Sequence, residues 1–255
     1  MIDNEQPMLL EGERVEDLQL GGLKLLQKQH GFHYGMDVVL LADFARIRPT
    51  DHVVDFGTGT GVLPLLLYGR GKGAEYDAFE IQPDMADMAS RSAALNGLSE
   101  SIHVHALPVE QAETILKPCS VDAIVCNPPY GAPGTTLLNP NEADRLARHQ
   151  GEDGLQAWYR AAFRLLKGKG KFSMIYPAHQ MLEALDGLRE ARLVPKRFRL
   201  IYPYPDKPAN LVLIEAVRDA KPMLHTEPPL IIHNADGTET AELQAIYHIN
   251  SAARS

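Results

Sequence analysis

Two periodicities alternate along this chain. Short runs rich in β-branched and aromatic residues recur at 52–56, 75–81, 101–105, 121–126, 170–176, 197–204 and 211–217, and they read as strands. Between them, apolar residues at helical spacing predict helices over 38–46, 62–68, 83–96, 155–167 and 180–191. Strands that alternate with helices imply an α/β fold, a mostly parallel sheet covered on both faces. The last two runs, joined by a Pro-rich loop, predict a closing strand pair. Residues 13–28 predict a smaller pair turning at Gly21-Gly22. Asp37 stands where it would cap the helix at 38–46. Pro64 falls in a first helical turn, where a missing N–H is harmless, and Asn96-Gly97 stops the helix before it.

At 255 residues the chain fits one α/β domain, with an extension and helix over 1–50, a core over 51–217 and a hairpin or tail over 218–255. No apolar run reaches membrane length and no leader pattern opens the chain. Cys119 and Cys126 make neither a CxxC pair nor a disulfide framework, which fits a reducing cytoplasm. His103 and His105 share one face of their strand, but without further ligands they do not make a metal site. The net charge of −8 argues against a generic nucleic-acid binder. Residues 160–207 nevertheless hold eleven Lys and Arg against four acids. Part of that excess is solvated surface, and part is a candidate phosphate-binding face centred on Arg197, Arg199 and Lys207, with Tyr202 and Tyr204 interleaved for stacking on bases. Arg145 and Arg148 form a second basic group.

The densest chemistry lies at the end of the strand at 121–126. There Asn127-Pro128-Pro129-Tyr130 follows, and the prolines stop the ladder because neither has an N–H to donate. Asn127 therefore sits at the carboxyl end of a strand, where open α/β sheets bind ligands. Its side-chain oxygen and the Pro128 carbonyl can converge on one planar amino group, and Tyr130 adds a flat face for stacking. Gly131 to Asn141 is rich in Gly, Pro and Thr, as expected of a substrate lid.

Earlier, Asp55-Phe56-Gly57-Thr58-Gly59-Thr60-Gly61 follows the strand at 52–56. A dinucleotide fold carries GxGxxG to face a diphosphate. This loop is GxGxG with an acid two residues ahead, so it suits a ligand without phosphates. Glu80 ends the next strand, one strand–helix–strand step later, placed to accept ribose hydroxyls.

Together these motifs resemble class I S-adenosylmethionine-dependent methyltransferases over roughly residues 30–220. Glu13-Arg14 through Leu20, Phe32-His33-Tyr34-Gly35-Met36-Asp37 and its continuation to Ala42, Ala147-Arg148-His149, and Pro229-Leu230-Ile231-Ile232 with Tyr247 resemble, more closely, the bacterial tRNA1(Val) adenine-37 N6-methyltransferase family. The resemblance implies a Rossmann-like, seven-stranded sheet with an antiparallel last strand, and methyl transfer to the exocyclic amine of the adenine 3′ of the anticodon. It implies S-adenosylmethionine held by Asp55, Gly57, Thr58, Gly59, Gly61, Glu80 and Ile81, with Asp37 reaching its amino-acid end. Asn127, Pro128, Pro129 and Tyr130 become the catalytic group, and structured RNA the partner, without metal or membrane. One departure stands out: no acid follows the strand at 101–105 to take the cofactor's adenine, leaving backbone or Glu110. Protein-glutamine N5 methyltransferases share the Asn-Pro-Pro-Tyr signature, but they carry a helical domain ahead of the glycine loop, and only 54 residues precede Asp55 here. A catalytically silent RNA-binding protein should show damage to one motif, and neither is damaged.

Overall fold

The computed structural model describes residues 9–29, 34–129 and 154–248. A hairpin of β1 (Glu13–Asp17) and β2 (Lys24–Lys28) is followed by α1 (Met36–Phe44). Then come β3 (His52–Phe56), α2 (Val62–Gly69), β4 (Glu75–Phe79), α3 (Pro83–Leu95), β5 (Ile102–His105), a 3₁₀ turn (Val109–Thr114) and β6 (Val121–Cys126). The remainder holds α4 (Leu155–Leu165), β7 (Leu166–Pro177), α5 (Met181–Glu190), β8 (Leu193–Tyr202), β9 (Leu211–Arg218), the two-residue β10 (His225–Thr226) and β11 (Leu230–Ile231), and α6 (Ala241–His248).

The main sheet runs β8-β9-β7-β6-β3-β4-β5. Within it β9 is antiparallel to both neighbours and the other pairs are parallel. β10 and β11 extend the outer edge of β8, both parallel to it. The C-terminal segment, read from the sequence as a hairpin or tail, thus covers the sheet edge and pairs strand that would otherwise stay open.

β3 and β6 lie in the middle and are buried on both faces, which is why their sequences are nearly continuous apolar runs. One face, carrying Val53, Tyr76, Val125 and Ile175, packs on α1, α2, α6 and the hairpin loop. The other, carrying Val54, Phe56, Ile124, Phe172 and Met174, packs on α4, α5 and the 3₁₀ turn. The hairpin is locked to α3 by Glu13, whose carboxylate receives both terminal nitrogens of Arg91 at 2.7 Å, and by the Leu26 N–H, which donates to Ser92 Oγ. No described helix is long and apolar enough to cross a membrane.

Three elements depart from expectation. β8 begins at Leu193, before a proline; the register shifts between Pro195 and Arg197, and a bulge is where a strand tolerates a residue without an N–H. β7 begins at Leu166, so Lys167, read as the end of a helix, and Gly168 and Lys169, left between the helix and the strand, are strand, irregular opposite Val121 and Ala123. The first helix starts at Met36 with Gly35 at the N-cap position, so Asp37 sits inside the first turn instead of at the cap, where its Oδ1 accepts the Val38 N–H.

Candidate active site

The glycine loop, Glu80 and Asn127 lie at the carboxyl edge of the central strands. The glycine loop leaves β3 and is tied to the neighbouring strand: Gly57 and Thr58 N–H groups both donate to the Phe79 carbonyl, at 2.9 and 3.0 Å. Its glycines have left-handed backbones but serve different ends. A Cβ on Gly57 would lie 3.0 Å from the Trp158 ring, and one on Gly61 would lie 3.1 Å from Ala89. Both positions are therefore needed for packing against α4 and α3. Gly59, at φ +58, would meet only Met85 Cε at 4.0 Å, so its side of the loop is the one a ligand can approach.

Glu80 closes the far side of this loop. It is 2% exposed, and its carboxylate receives the N–H of Gly59 and of Gln82, both at 2.9 Å. Two backbone donors thus hold a carboxylate against the loop, with Ile81 directly after it. Beneath lies Asp55, wholly buried. Its Oδ2, the Thr58 hydroxyl and the Trp158 indole nitrogen are all buried without a hydrogen-bond partner. Burial pushes the Asp55 carboxyl up to about 7, with Thr58 opposing the shift and the Glu80 charge adding to it. Burial, and then Asp55, also raise the Cys126 thiol. Orphaned polar atoms and two carboxyls around an open glycine fit a cationic, hydroxyl-bearing cofactor of the kind the sequence implies. Trp158, which supports the loop from 100 residues away, was not foreseeable from the motif itself.

Asn127 follows β6, the neighbour of β3 on the other side. Its Nδ2 donates to Asp37 Oδ2 at 3.0 Å. Asp37 Oδ1 in turn accepts the Val38 N–H at 3.0 Å. The structure thus brings Asp37, read from the sequence as a helix cap that could also reach the cofactor, to the signature. Pro128 is buried beside Asn127. Tyr130, the proposed lid over 131–141, Arg145 and Arg148 lie outside the described residues.

The candidate basic face needs correction. Arg197 is 5% exposed; it pairs with Glu215 and Glu227, donates to the Phe44 carbonyl and lies 3.6 Å over the Phe44 ring. It is a core residue and cannot meet a phosphate. Arg199 is mostly covered, paired with Glu242 and bonded to the Pro228 carbonyl. Lys207 alone of the three is well exposed, 3.6 Å from Asp206. Pairing along β8 absorbs charges that a count along the sequence treats as one surface. Tyr204 stacks on His233 at 5.1 Å. Next to this pair a cleft of about 400 Å³, lined by Asp37, Leu40, Ile201, Pro203, Asn210 and His233 among others, opens beside the Asp37–Asn127 bond.

The strand order, the antiparallel β9 and a glycine loop with an acid after the next strand define a class I methyltransferase. A family model described as "Methyltransferase domain" matches residues 47–224. The tRNA1(Val) (adenine(37)-N6)-methyltransferase of Parabacteroides distasonis is 33% identical over 193 residues, 74% of this chain and 78% of that protein. The enzyme of the same description from Tolumonas auensis is 31% identical over 223 residues, 83% and 86% of the two chains. Among solved structures, a predicted O-methyltransferase from Agrobacterium tumefaciens superposes with a TM-score of 0.65 at 24% identity, covering 83% of this chain and 95% of that one. Geranyl diphosphate methyltransferase in complex with S-adenosylmethionine does so with a TM-score of 0.52 at 16% identity, covering 71% and 84%. The chain belongs to the methyltransferase-domain family, among the tRNA1(Val) (adenine(37)-N6)-methyltransferases. It is an N-methyltransferase that uses S-adenosylmethionine.

Proposed function

We propose that this chain methylates N6 of an adenine in tRNA, the adenine 3′ of the anticodon in valine tRNA. The observation that carries this reading is Asn127, at the end of β6 beside the glycine loop, with its amide oriented by Asp37. The relatives' activity, as they are named, is the same reaction.

When bound, the cofactor's sulfonium supplies an electrophilic methyl group. Glu80 would receive the ribose hydroxyls, and the open side of Gly59 would admit the methionine portion; Asp55 lies below as the nearest buried acid. An adenine amine is a weak nucleophile because its lone pair is delocalised into the ring. The Asn127 oxygen and the Pro128 carbonyl accept its two N–H bonds, which favours a more tetrahedral nitrogen and aims its lone pair. No side chain needs an altered protonation state for attack, since the amine proton becomes acidic only afterwards. Tyr130 would stack on the extruded base. The cleft beside Asp37 suits flanking nucleotides, with Tyr204 and Lys207 near its rim.

The test is transfer from labelled S-adenosylmethionine to total tRNA from a strain lacking the gene, followed by mass spectrometry of nucleosides. N6-methyladenosine in valine tRNA is the expected product. Label on a ring atom would overturn the reading, and label on protein glutamine would move it to the alternative substrate.

A further inference from the structure

We propose that Asp37 is the positioning residue of the signature: it sets which end of the Asn127 side-chain amide faces the substrate. The inference rests on the reading that Asn127 accepts from an amino group.

An Asn amide has a donor end and an acceptor end of nearly equal size, so shape alone does not fix its orientation. For methyl transfer only one orientation works, because an NH₂ facing the substrate amine would set donor against donor. A carboxylate accepts and does not donate. Asp37 Oδ2, 3.0 Å from Asn127, therefore selects the Nδ2 end and turns Oδ1 the other way. The carboxylate is itself held. Oδ1 takes the Val38 N–H in the first turn of α1, where the helix dipole favours negative charge. Oδ1 also fills the space over Gly35, where a Cβ would stand 2.7 Å from it. Gly35 has an ordinary φ of −97, so its lack of a side chain answers to space, not to backbone strain. The contact joins residues 90 positions apart and fixes the N-terminal helix to the catalytic strand end.

The reciprocal exchange tests it. In Asp37→Asn the new amide can donate to Asn127 Oδ1, and Asn127 then presents its NH₂ to the substrate. We expect kcat on tRNA to fall about 10²–10³-fold, the range for losing an oriented polar partner, while the S-adenosylmethionine Kd changes less than about threefold. Asn127→Asp alone sets two carboxylates against each other. The Asp37→Asn/Asn127→Asp double variant restores one donor facing one acceptor and leaves an oxygen toward the substrate; it should recover at least about tenfold over either single variant. Gly35→Ala, which alters no polar group, should also lower kcat by crowding Oδ1, and it carries the test if Asp37→Asn does not fold. The Asn127 side-chain amide signals in a ¹⁵N spectrum, assigned by their loss in Asn127→Asp, should shift in Asp37→Asn; this readout needs no RNA.

Unchanged kcat in Asp37→Asn, or a double variant no better than the singles, overturns the proposal. A cofactor Kd that weakens in step with kcat assigns Asp37 to the cofactor and overturns it too. If the wild-type enzyme places no methyl on adenine N6, the functional reading fails, and the amide signals still decide the Asp37 contact.

Discussion

Two buried charged clusters sit in this molecule, and they are built on opposite terms. Around Arg197 and Lys72 the cationic ends are saturated. Each Arg197 nitrogen reaches Glu215, Glu227 or the Phe44 carbonyl, and Lys72 Nζ donates to the carbonyls of Ala42, Asp43 and Ala45 at the end of α1. Among the described residues nearby, Arg70 Nε lacks a partner. Around Asp55 and Glu80 backbone N–H groups of Gly59 and Gln82 donate to the Glu80 carboxylate, while Asp55 Oδ2, the Thr58 hydroxyl and the Trp158 indole nitrogen are unsatisfied. An unpaired buried polar group costs on the order of 1–3 kcal/mol. The first cluster is what a fold builds to hold itself together; the second leaves buried polar atoms open beside the glycine loop. The two clusters thus differ in whether the polar atoms around their charged groups are satisfied within the chain.

Breaking the saturated cluster should have the largest effect. Arg197→Ala leaves Glu215, 4% exposed, without its cation, and removing one member of a buried pair costs about 3–5 kcal/mol. Chemical denaturation should show that loss. Arg197→Met with Glu215→Leu should recover most of it, since a packed apolar pair substitutes for a buried ion pair at little net cost. A double variant as unstable as Arg197→Ala would mean that the Phe44 and Glu227 contacts dominate.

In the unsaturated cluster the matching change should be read in ligand affinity instead. Glu80→Ala removes the acceptor for ribose hydroxyls, a loss of about 1.5–3 kcal/mol for hydrogen bonds to a charged group. By calorimetry, S-adenosylmethionine should bind about ten- to a hundredfold more weakly. Unchanged affinity would remove Glu80 from the cofactor site.

The contrast also predicts an opposite pH behaviour. Asp55 is raised from 3.8 to about 7 in the folded chain, so between those values the native state holds a proton that the unfolded chain has lost. Its contribution to stability is therefore greatest below about 4 and declines as pH rises through 7, by at most about 1.4 kcal/mol per pH unit. Asp77 runs the other way. Burial raises it, but hydrogen bonds from His105 and His52 outweigh that and hold it at about 2, so its contribution is present above 3.8 and lost only as pH falls toward 2. Asp55→Asn should flatten the first slope in the ligand-free protein and leave the acid limb in place. A wild-type midpoint that does not fall between pH 4 and 7 relative to this variant would contradict an uncharged Asp55.

These differences mark how far the sequence could be read. The boundaries of β3 and β6 match the predicted runs, because strands buried on both faces carry a nearly continuous apolar signal and end at a glycine loop or at prolines. β8 begins earlier than predicted, since a bulge rescues Pro195 only when a partner strand is in place. The Gly-x-Gly-x-Gly spacing was legible, yet two of its glycines answer to Trp158 and Ala89, elements far away along the chain. The Asp37–Asn127 bond was beyond reach for the same reason, as its members share no local pattern. Arg197 was misplaced because a charge count knows nothing of cross-strand pairing: Glu215 faces it from β9.

Lys207 supplies the smallest and most discriminating comparison. It stands ten residues after Arg197, on the connection from β8 to β9. β8 runs parallel to β7 and β6, so this connection leaves the same sheet edge as Asn127. Its side chain is 59% exposed, and its ion pair with Asp206 at 3.6 Å is a surface pair contributing little to stability. Lys207→Ala should leave the unfolding free energy within about 0.5 kcal/mol. If Lys207 meets one phosphate of the tRNA, the slope of log affinity against log salt should flatten by about 0.7–0.9, with cofactor affinity unchanged. Arg197→Met should do the reverse, altering stability while leaving the salt slope alone. An unaltered slope in Lys207→Ala would shift the phosphate-binding face away from the β8–β9 connection and toward Arg145 and Arg148, where the same measurement on Arg145→Ala and Arg148→Ala would decide between them.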